Sequence, residues 1–210
     1  MLELPEDAPK ALGKPVRIRV YFDSDHAHNK VTGRSITGVI VFVNKTPIMW
    51  KSKRQPTVHT STYASELTAG MTAVDLVEYV RNMLIMLGIP VQDPSIMLGD
   101  NMSMVLSTTR PGSPLRKKHL ILTWHRVREA EAGGLVCVHH VPTNLNFADI
   151  GTKPLGPTKH GSLSRPLMFR KPIFISEEGN KRKMIKDSGD TEISEGDAMI
   201  KAMLVRYHYG

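Results

Sequence analysis

Between Val16 and Phe22 hydrophobic and polar side chains alternate, Val-Arg-Ile-Arg-Val-Tyr-Phe, which predicts a β-strand with one polar face and places Asp23 at its C-terminal end. A loop with Asn29, Lys30 and Gly33 leads into the β-branched run Ile36 to Val43, and Asn44-Lys45 turns the chain into residues 47–53. Three strands on such short connections read as an antiparallel meander. After the polar stretch 54–61, Leu67, Met71, Val74, Val77, Val80, Leu84 and Leu87 recur at steps of three and four, the period of one long amphipathic helix. Thr62 is its expected N-cap and Gly88 its stop. Glu66 is expected in the first turn, where the helix dipole favours a carboxylate.

Ser95 to Leu98 is a short apolar run ended by Gly99 and Asp100, as in a buried strand that follows a crossover helix. Residues 101–107 read as a short helix, 118–132 as a longer one stopped by Gly133-Gly134, and 135–141 as a strand. Asp149, beyond Pro142, is expected to open a last helix. The order β-β-β-α-β-α-α-β-α is that of an α/β fold in which a meander is continued by right-handed parallel crossovers. The Pro-rich residues 1–15 read as a lead-in or linker remnant, 16–175 as one domain, and 176–210 as a polar, disordered tail with a helical turn near 199–206.

Composition narrows this picture. A chain of 210 residues, 40% hydrophobic, buries one good core more readily than two. The net charge of +8 and pI near 9.6 favour a polyanionic partner. Residues 176–210 carry six Lys+Arg against seven Asp+Glu, so the excess positive charge belongs to the body of the chain. Lys181-Arg182-Lys183 reads as a solvated run rather than a localisation signal. The single cysteine, Cys137, rules out an internal disulfide and a multi-cysteine zinc site, and its apolar neighbours suggest a core position. Trp50 and Trp124 also read as core. No apolar run approaches the ~18 residues of a membrane span, and the N-terminus lacks a basic-then-apolar signal, so a soluble protein of the cytoplasm or nucleus, with no membrane partner, is expected.

Asp23, Glu66, Asp100 and Asp149 each stand at an expected end or beginning of an element beside an apolar run. Ligands of sheets with parallel strands gather at the strands' carboxyl ends. If the strands before Asp23 and Asp100 are neighbours, those two carboxylates emerge together, and Glu66 and Asp149 can close the ring. Four such acids would repel one another unless a divalent cation neutralised them, and oxygen ligands favour magnesium or manganese. Two ions in such a site suit in-line phosphodiester hydrolysis. Spacing alone does not single out these four among 20 acidic residues.

Longer blocks do. Tyr21 to Ala27, Arg34 to Gly38, Trp50 to Gln55, Ser61 to Glu66, Gly99-Asp100-Asn101, Lys118-His119, Trp124 to Glu129, Val141-Pro142-Thr143 and Ala148 to Leu155 resemble, in order and spacing, the ribonuclease H domain of copia-type retrotransposon polyproteins. The resemblance covers roughly residues 15–157. It implies a ribonuclease H-like fold, a five-stranded mixed sheet flanked by helices, and cleavage of the RNA strand of RNA·DNA hybrids with two Mg2+ ions, Mn2+ being an alternative. It also implies Asp23, Glu66, Asp100 and Asp149 as metal ligands and catalytic residues, and a reverse transcriptase domain as polyprotein neighbour. Asn101 occupies a place where the superfamily contacts substrate. The clusters Lys51, Lys53, Arg54, Gln55 and Arg116, Lys117, Lys118, His119 are the candidates for phosphate contacts.

Two departures stand out. Leu120-Ile121 replaces the acidic position that many members carry after Lys-His, where a packing change is expected. The loop Pro142 to Ala148 lacks the histidine that cellular and retroviral enzymes often place before the last Asp, and His139 and His140 on the preceding strand read as surface or packing residues. Neither a Tyr-x-Asp-Asp motif nor an integrase His/Cys arrangement is present, which keeps a rival reading open: a catalytically inactive element fragment that at most binds nucleic acid.

Overall fold

The computed structural model describes residues 12–27, 31–113 and 118–168. Strand β1, Ile18–Asp25, departs from the alternation expected of it, because Val20, Tyr21, Phe22 and Asp23 are all buried. The reason is its place: the sheet order is β3-β2-β1-β4-β5, with β2 Arg34–Val43, β3 Thr46–Val58, β4 Ser95–Gly99 and β5 Val136–His140. The central strand is covered on both faces. Val20 and Phe22 pack with Leu67, Val74 and Val77 of the long helix α1, Thr62–Met86, in the main core. On the other face Tyr21 meets Phe42 and Phe147 edge-on, at centroid distances of 5.6 and 4.9 Å.

β1 pairs antiparallel with β2, and β2 with β3, which is the expected meander; β1–β4 and β4–β5 are parallel. Helices α2, Met102–Thr109, and α3, Ile121–Ala132, complete the crossovers. Ser61, rather than Thr62, caps α1 by accepting from the Ala64 N–H, and Gly88 ends it in a left-handed conformation at φ +74°. β1 runs on to Asp25, so Asp23 lies inside the strand and not at its end. Asp149 sits in a 3-10 turn, Phe147–Gly151, and the last described α-helix, α4 Pro157–Ser164, begins only after it.

The polar stretch after residue 53 is not a loop, since β3 continues to Val58. It is an edge strand, where charged side chains are the usual guard against further strand pairing and hydropathy looks like that of a loop. Trp50 on this strand is 74% exposed and is not a core residue. Trp124 is buried, its indole N–H donating to the Ser107 carbonyl at 3.2 Å with Arg128 stacked over the ring. Cys137 is only half-buried, and burial, with Glu131 nearby, pushes its thiol up to about 11. Of the lead-in, Leu12 donates its N–H to the Gly88 carbonyl, and Val16 bridges Val91. The readings made for residues 1–11, Asn29, Lys30, Arg116, Lys117 and the tail from 176 on, including Lys181-Arg182-Lys183, lie outside the described residues. No helix among the described residues is long and apolar enough to cross a membrane.

Arg81 ties α1 to the start of β4. It is 4% exposed, and its guanidinium donates to Ser95 Oγ at 3.0 Å and to Asp93. Removing Arg81 leaves the buried Ser95 hydroxyl without its partner, while Asp93 is exposed and can turn to water, so Arg81→Ala is expected to cost roughly 2 kcal/mol. Urea unfolding at neutral pH measures this, and a loss below about 0.5 kcal/mol would contradict it.

Candidate metal centre

Phe22 of β1 lies opposite Gly99 of the parallel neighbour β4, so the residues that follow, Asp23 and Asp100, stand side by side at one end of the sheet. The close fit requires glycine at 99, because a Cβ there would lie 2.4 Å from the Phe22 ring. Glu66 reaches the same place from α1. One carboxylate oxygen from each of Asp23, Glu66 and Asp100 lies within 4.8 Å of the others, with Asp23 and Glu66 buried and Asp100 half-buried.

Glu66 is the fifth residue of α1, and the first turn contains no acid, so the helix dipole does little for it. Its Oε1 accepts from the Ser24 N–H at 3.3 Å, while Oε2 is buried with no hydrogen-bond partner. Burial first, then Asp23 and Asp100, hold its carboxyl well above the usual range. Burial likewise raises Asp23 from 3.8 to about 6; the Thr152 hydroxyl and Lys153 pull down, and Asp100 and Asp149 push up. An all-oxygen donor set, mutual repulsion and an unpartnered buried oxygen together fit a hard divalent cation.

Asp149 is fully buried but lies outside this group of three. Lys153 Nζ forms an ion pair with its Oδ1 at 2.8 Å, and Lys159 Nζ donates to its Oδ2 at 2.5 Å. Lys153 also lies 3.5 Å from Asp23 Oδ2, which accepts the Thr152 hydroxyl. Burial acts to lower the Lys153 pKa, but Asp149 and Asp23 outweigh it and hold the ammonium above its ordinary value. The segment is pinned to the sheet by Asn146, whose amide donates to the Phe22 carbonyl at 3.0 Å, and by Ser52, whose hydroxyl donates to the Gly151 carbonyl.

Thr152 and Lys153 lie in the block Ala148 to Leu155 but carry no role there by sequence, and Lys159 lies outside it. The available signal was the step of four from Asp149 to Lys153, the spacing at which opposite charges meet on one helical face.

The expected substrate residues are divided. Asn101 Oδ1 caps α2 by accepting from the Met104 N–H. Lys51, Lys53 and Arg54 are exposed on β3, and Lys118 and His119 are exposed in the 3-10 turn before α3. Gln55 is buried and structural, its amide donating to Thr37 Oγ1 and the Ser65 carbonyl. His59 has a lowered pKa from burial and then from His26 and His119, which places the start of α1 and the 118–120 turn within electrostatic reach of each other. His140 Nε2 is 3.2 Å from the Asp100 carbonyl and steadies that end of β4.

The raised carboxyls make a pH prediction for the metal-free protein. Between 3.8 and about 6 the folded state holds a proton on Asp23 that the unfolded state has lost, so stability falls as pH rises through this window. Asp23 alone accounts for about 3 kcal/mol. In chelator, unfolding of the Asp23→Asn variant is therefore expected to vary less between these pH values than that of the parent chain; equal slopes would count against the account.

No family model matches the chain. It is 31% identical over 156 residues to the Retrovirus-related Pol polyprotein from transposon RE2 of Arabidopsis thaliana, covering 74% of this chain and 11% of that protein. The RE1 polyprotein of the same plant is 30% identical over 146 residues, with 70% and 10% covered. The chain thus spans about a tenth of the length of these curated relatives. Among solved structures, LC11-RNase H1 in complex with an RNA/DNA hybrid superposes with a TM-score of 0.51 at 16% identity, covering 65% of this chain and 94% of that one. The N-terminal ribonuclease H domain of a Mycobacterium tuberculosis protein gives 0.50 at 12% identity, covering 71% and 97%. These likenesses establish a ribonuclease H-like fold.

Proposed function

This chain carries a ribonuclease H-like domain matching the Pol polyproteins of copia-type transposons, and from that premise we propose that it is a metal-dependent endonuclease that hydrolyses the RNA strand of RNA·DNA hybrids. The observation that carries the reading is the approach of Asp23, Glu66 and Asp100 to within 4.8 Å, with an unpartnered Glu66 oxygen among them. These three would hold Mg2+, or Mn2+ in its place. When bound, such an ion supplies Lewis acidity toward a phosphoryl oxygen and lowers the pKa of water.

The protein's own groups do the remaining work. The Thr152 hydroxyl donates to Asp23 Oδ2 and holds the side chain in place beside Glu66 and Asp100. The Ser24 N–H orients Glu66 in the same way. A hybrid duplex is recognised by phosphates and 2′-hydroxyls more than by base identity, which suits the exposed Lys53, Arg54, Lys118 and His119 as phosphate contacts. Asn101 stands beside Asp100 with its Oδ1 committed to α2, leaving its amide N–H groups as the donors it would offer a substrate. The reverse transcriptase region of a longer polyprotein is the proposed neighbour, and cytoplasm or nucleus the proposed setting.

Incubation with labelled RNA·DNA hybrid, duplex DNA and single-stranded RNA in Mg2+ tests the substrate class. Cuts confined to the RNA of the hybrid, and abolished by chelator, are expected. Equal cutting of all three, or none, would remove the proposal, and hybrid binding without cleavage would leave only the inactive-fragment reading.

A further inference from the structure

The Asp23–Asp149 side of the centre already contains positive charge. Lys153 Nζ lies 2.8 Å from Asp149 Oδ1 and 3.5 Å from Asp23 Oδ2, between the two carboxylates. Lys159 takes the second Asp149 oxygen at 2.5 Å from the first turn of α4. Asp149 has no exposed surface, so its charge depends on these ammonium groups, since a buried carboxylate without a partner is costly. A divalent ion shared by Asp23 and Asp149 would have to sit about 2 Å from an oxygen of each, where Mg2+ binds. The Lys153 ammonium already lies within ion-pair distance of an oxygen of each.

The Asp23–Glu66–Asp100 side differs in kind. Among the described residues no ammonium or guanidinium pairs with Glu66 or Asp100, and a Glu66 oxygen is buried without a partner. Glu66 and Asp100 therefore have no paired cation, while Asp149 has two built in and Asp23 shares Lys153 with it.

We propose that Lys153 is the second cation of this centre: the chain takes one divalent ion, at Asp23, Glu66 and Asp100, while the Lys153 ammonium fills the place between Asp23 and Asp149. It rests on the proposed function for the identity of the site, and on the lysine contacts for the count. An ammonium there offers N–H donors to a phosphate oxygen without taking a coordination sphere of its own. It is tethered four residues from Asp149 and is present before any substrate arrives.

The test is the number of Mn2+ ions bound per chain at neutral pH, read from the EPR signal of the free ion. It is run on the protein alone and on its complex with a hybrid made uncleavable by 2′-O-methylation of the RNA, corrected for ions the hybrid takes by itself. One ion is expected for the parent chain in both states and for Lys153→Arg, which keeps the charge. Two are expected for Lys153→Met in the complex, with a larger Mn2+-induced rise in Tm than the parent shows. Two ions on the parent, or one on a folded Lys153→Met chain in complex, would overturn the inference while leaving the metal-site reading intact. No ion on the parent would overturn both. Melting of each variant in chelator establishes that it is folded, and if Lys153→Met is not, Lys153→Gln takes its place.

Discussion

Replacing Asp23 with asparagine is expected to lower hybrid cleavage by about a thousandfold or more while leaving the fold intact. Asp23 joins the two sides of the centre: one oxygen takes the Thr152 hydroxyl and faces Lys153, and the side chain completes the group with Glu66 and Asp100. Asparagine keeps the shape and an oxygen to accept from Thr152, but it removes the negative charge that would hold a cation. Loss of several kcal/mol of transition-state stabilisation corresponds to that rate. The metal-free protein should respond in the opposite sense. Asp23 is a buried acid raised to about 6, so near neutral pH its ionised form opposes folding, and the neutral amide relieves this. The variant should therefore melt in chelator at the same or a higher temperature than the parent, and Mg2+ should no longer raise its Tm. A variant that unfolds would leave its lost activity uninformative about chemistry; a folded variant with parental cleavage would refute the assignment of Asp23.

Gly38→Ala should damage the same reaction from a position that carries no chemistry. Gly38 pairs with Asp23 across β1 and β2, and the turn that carries Asp149 packs directly on it. A Cβ there would lie 2.6 Å from the Ala148 carbonyl oxygen and 2.6 Å from Thr152 Cγ2. The first neighbour is backbone and cannot rotate away, so residues 148–152 must move off the sheet and take Thr152, Asp149 and Lys153 with them. Overpacking of this kind costs about 1–3 kcal/mol. Displacement of a positioned group by about 1 Å costs roughly a hundredfold in rate, and a loss in kcat/KM of that order is expected. Gly161→Ala in α4, where a Cβ would meet nothing within 4 Å, serves as the control and should leave cleavage unchanged. Parental kcat/KM in Gly38→Ala would mean that the turn's seat on β2 does not matter to the site.

What the sequence made legible follows from which forces act locally. The helical period of α1 announces itself because burial on one face recurs along the chain, and the β-branched run of β2 because that strand is buried on both faces. The pairing of β1 with β4 was reachable from the strand–helix–strand order, and with it the juxtaposition of Asp23 and Asp100. The residues Arg54 to Val58 read as a polar stretch outside the strand because an edge strand pairs through its backbone and needs no apolar side chains. Trp50 misled for a related reason: its apolar neighbours Ile48 and Met49 belong to the same edge strand, and only Met49 packs against the core. The ring of four equivalent acids was an expectation that spacing could not refine. Which carboxylates share space and which are neutralised by lysine depends on how the 147–152 turn seats on Gly38 and Asn146, a tertiary event with no periodic trace. The raised Asp23 and Glu66 likewise come from burial depth, which no local pattern encodes.

The most direct measurement is cleavage of a labelled RNA·DNA hybrid in Mg2+ by the parent chain beside Asp23→Asn and Asp100→Asn, each verified as folded. Cutting of the RNA strand by the parent and its loss in both variants is the expected result. No cleavage by the parent, or equal cleavage by the variants, would contradict the assignment of a hydrolytic centre to these acids.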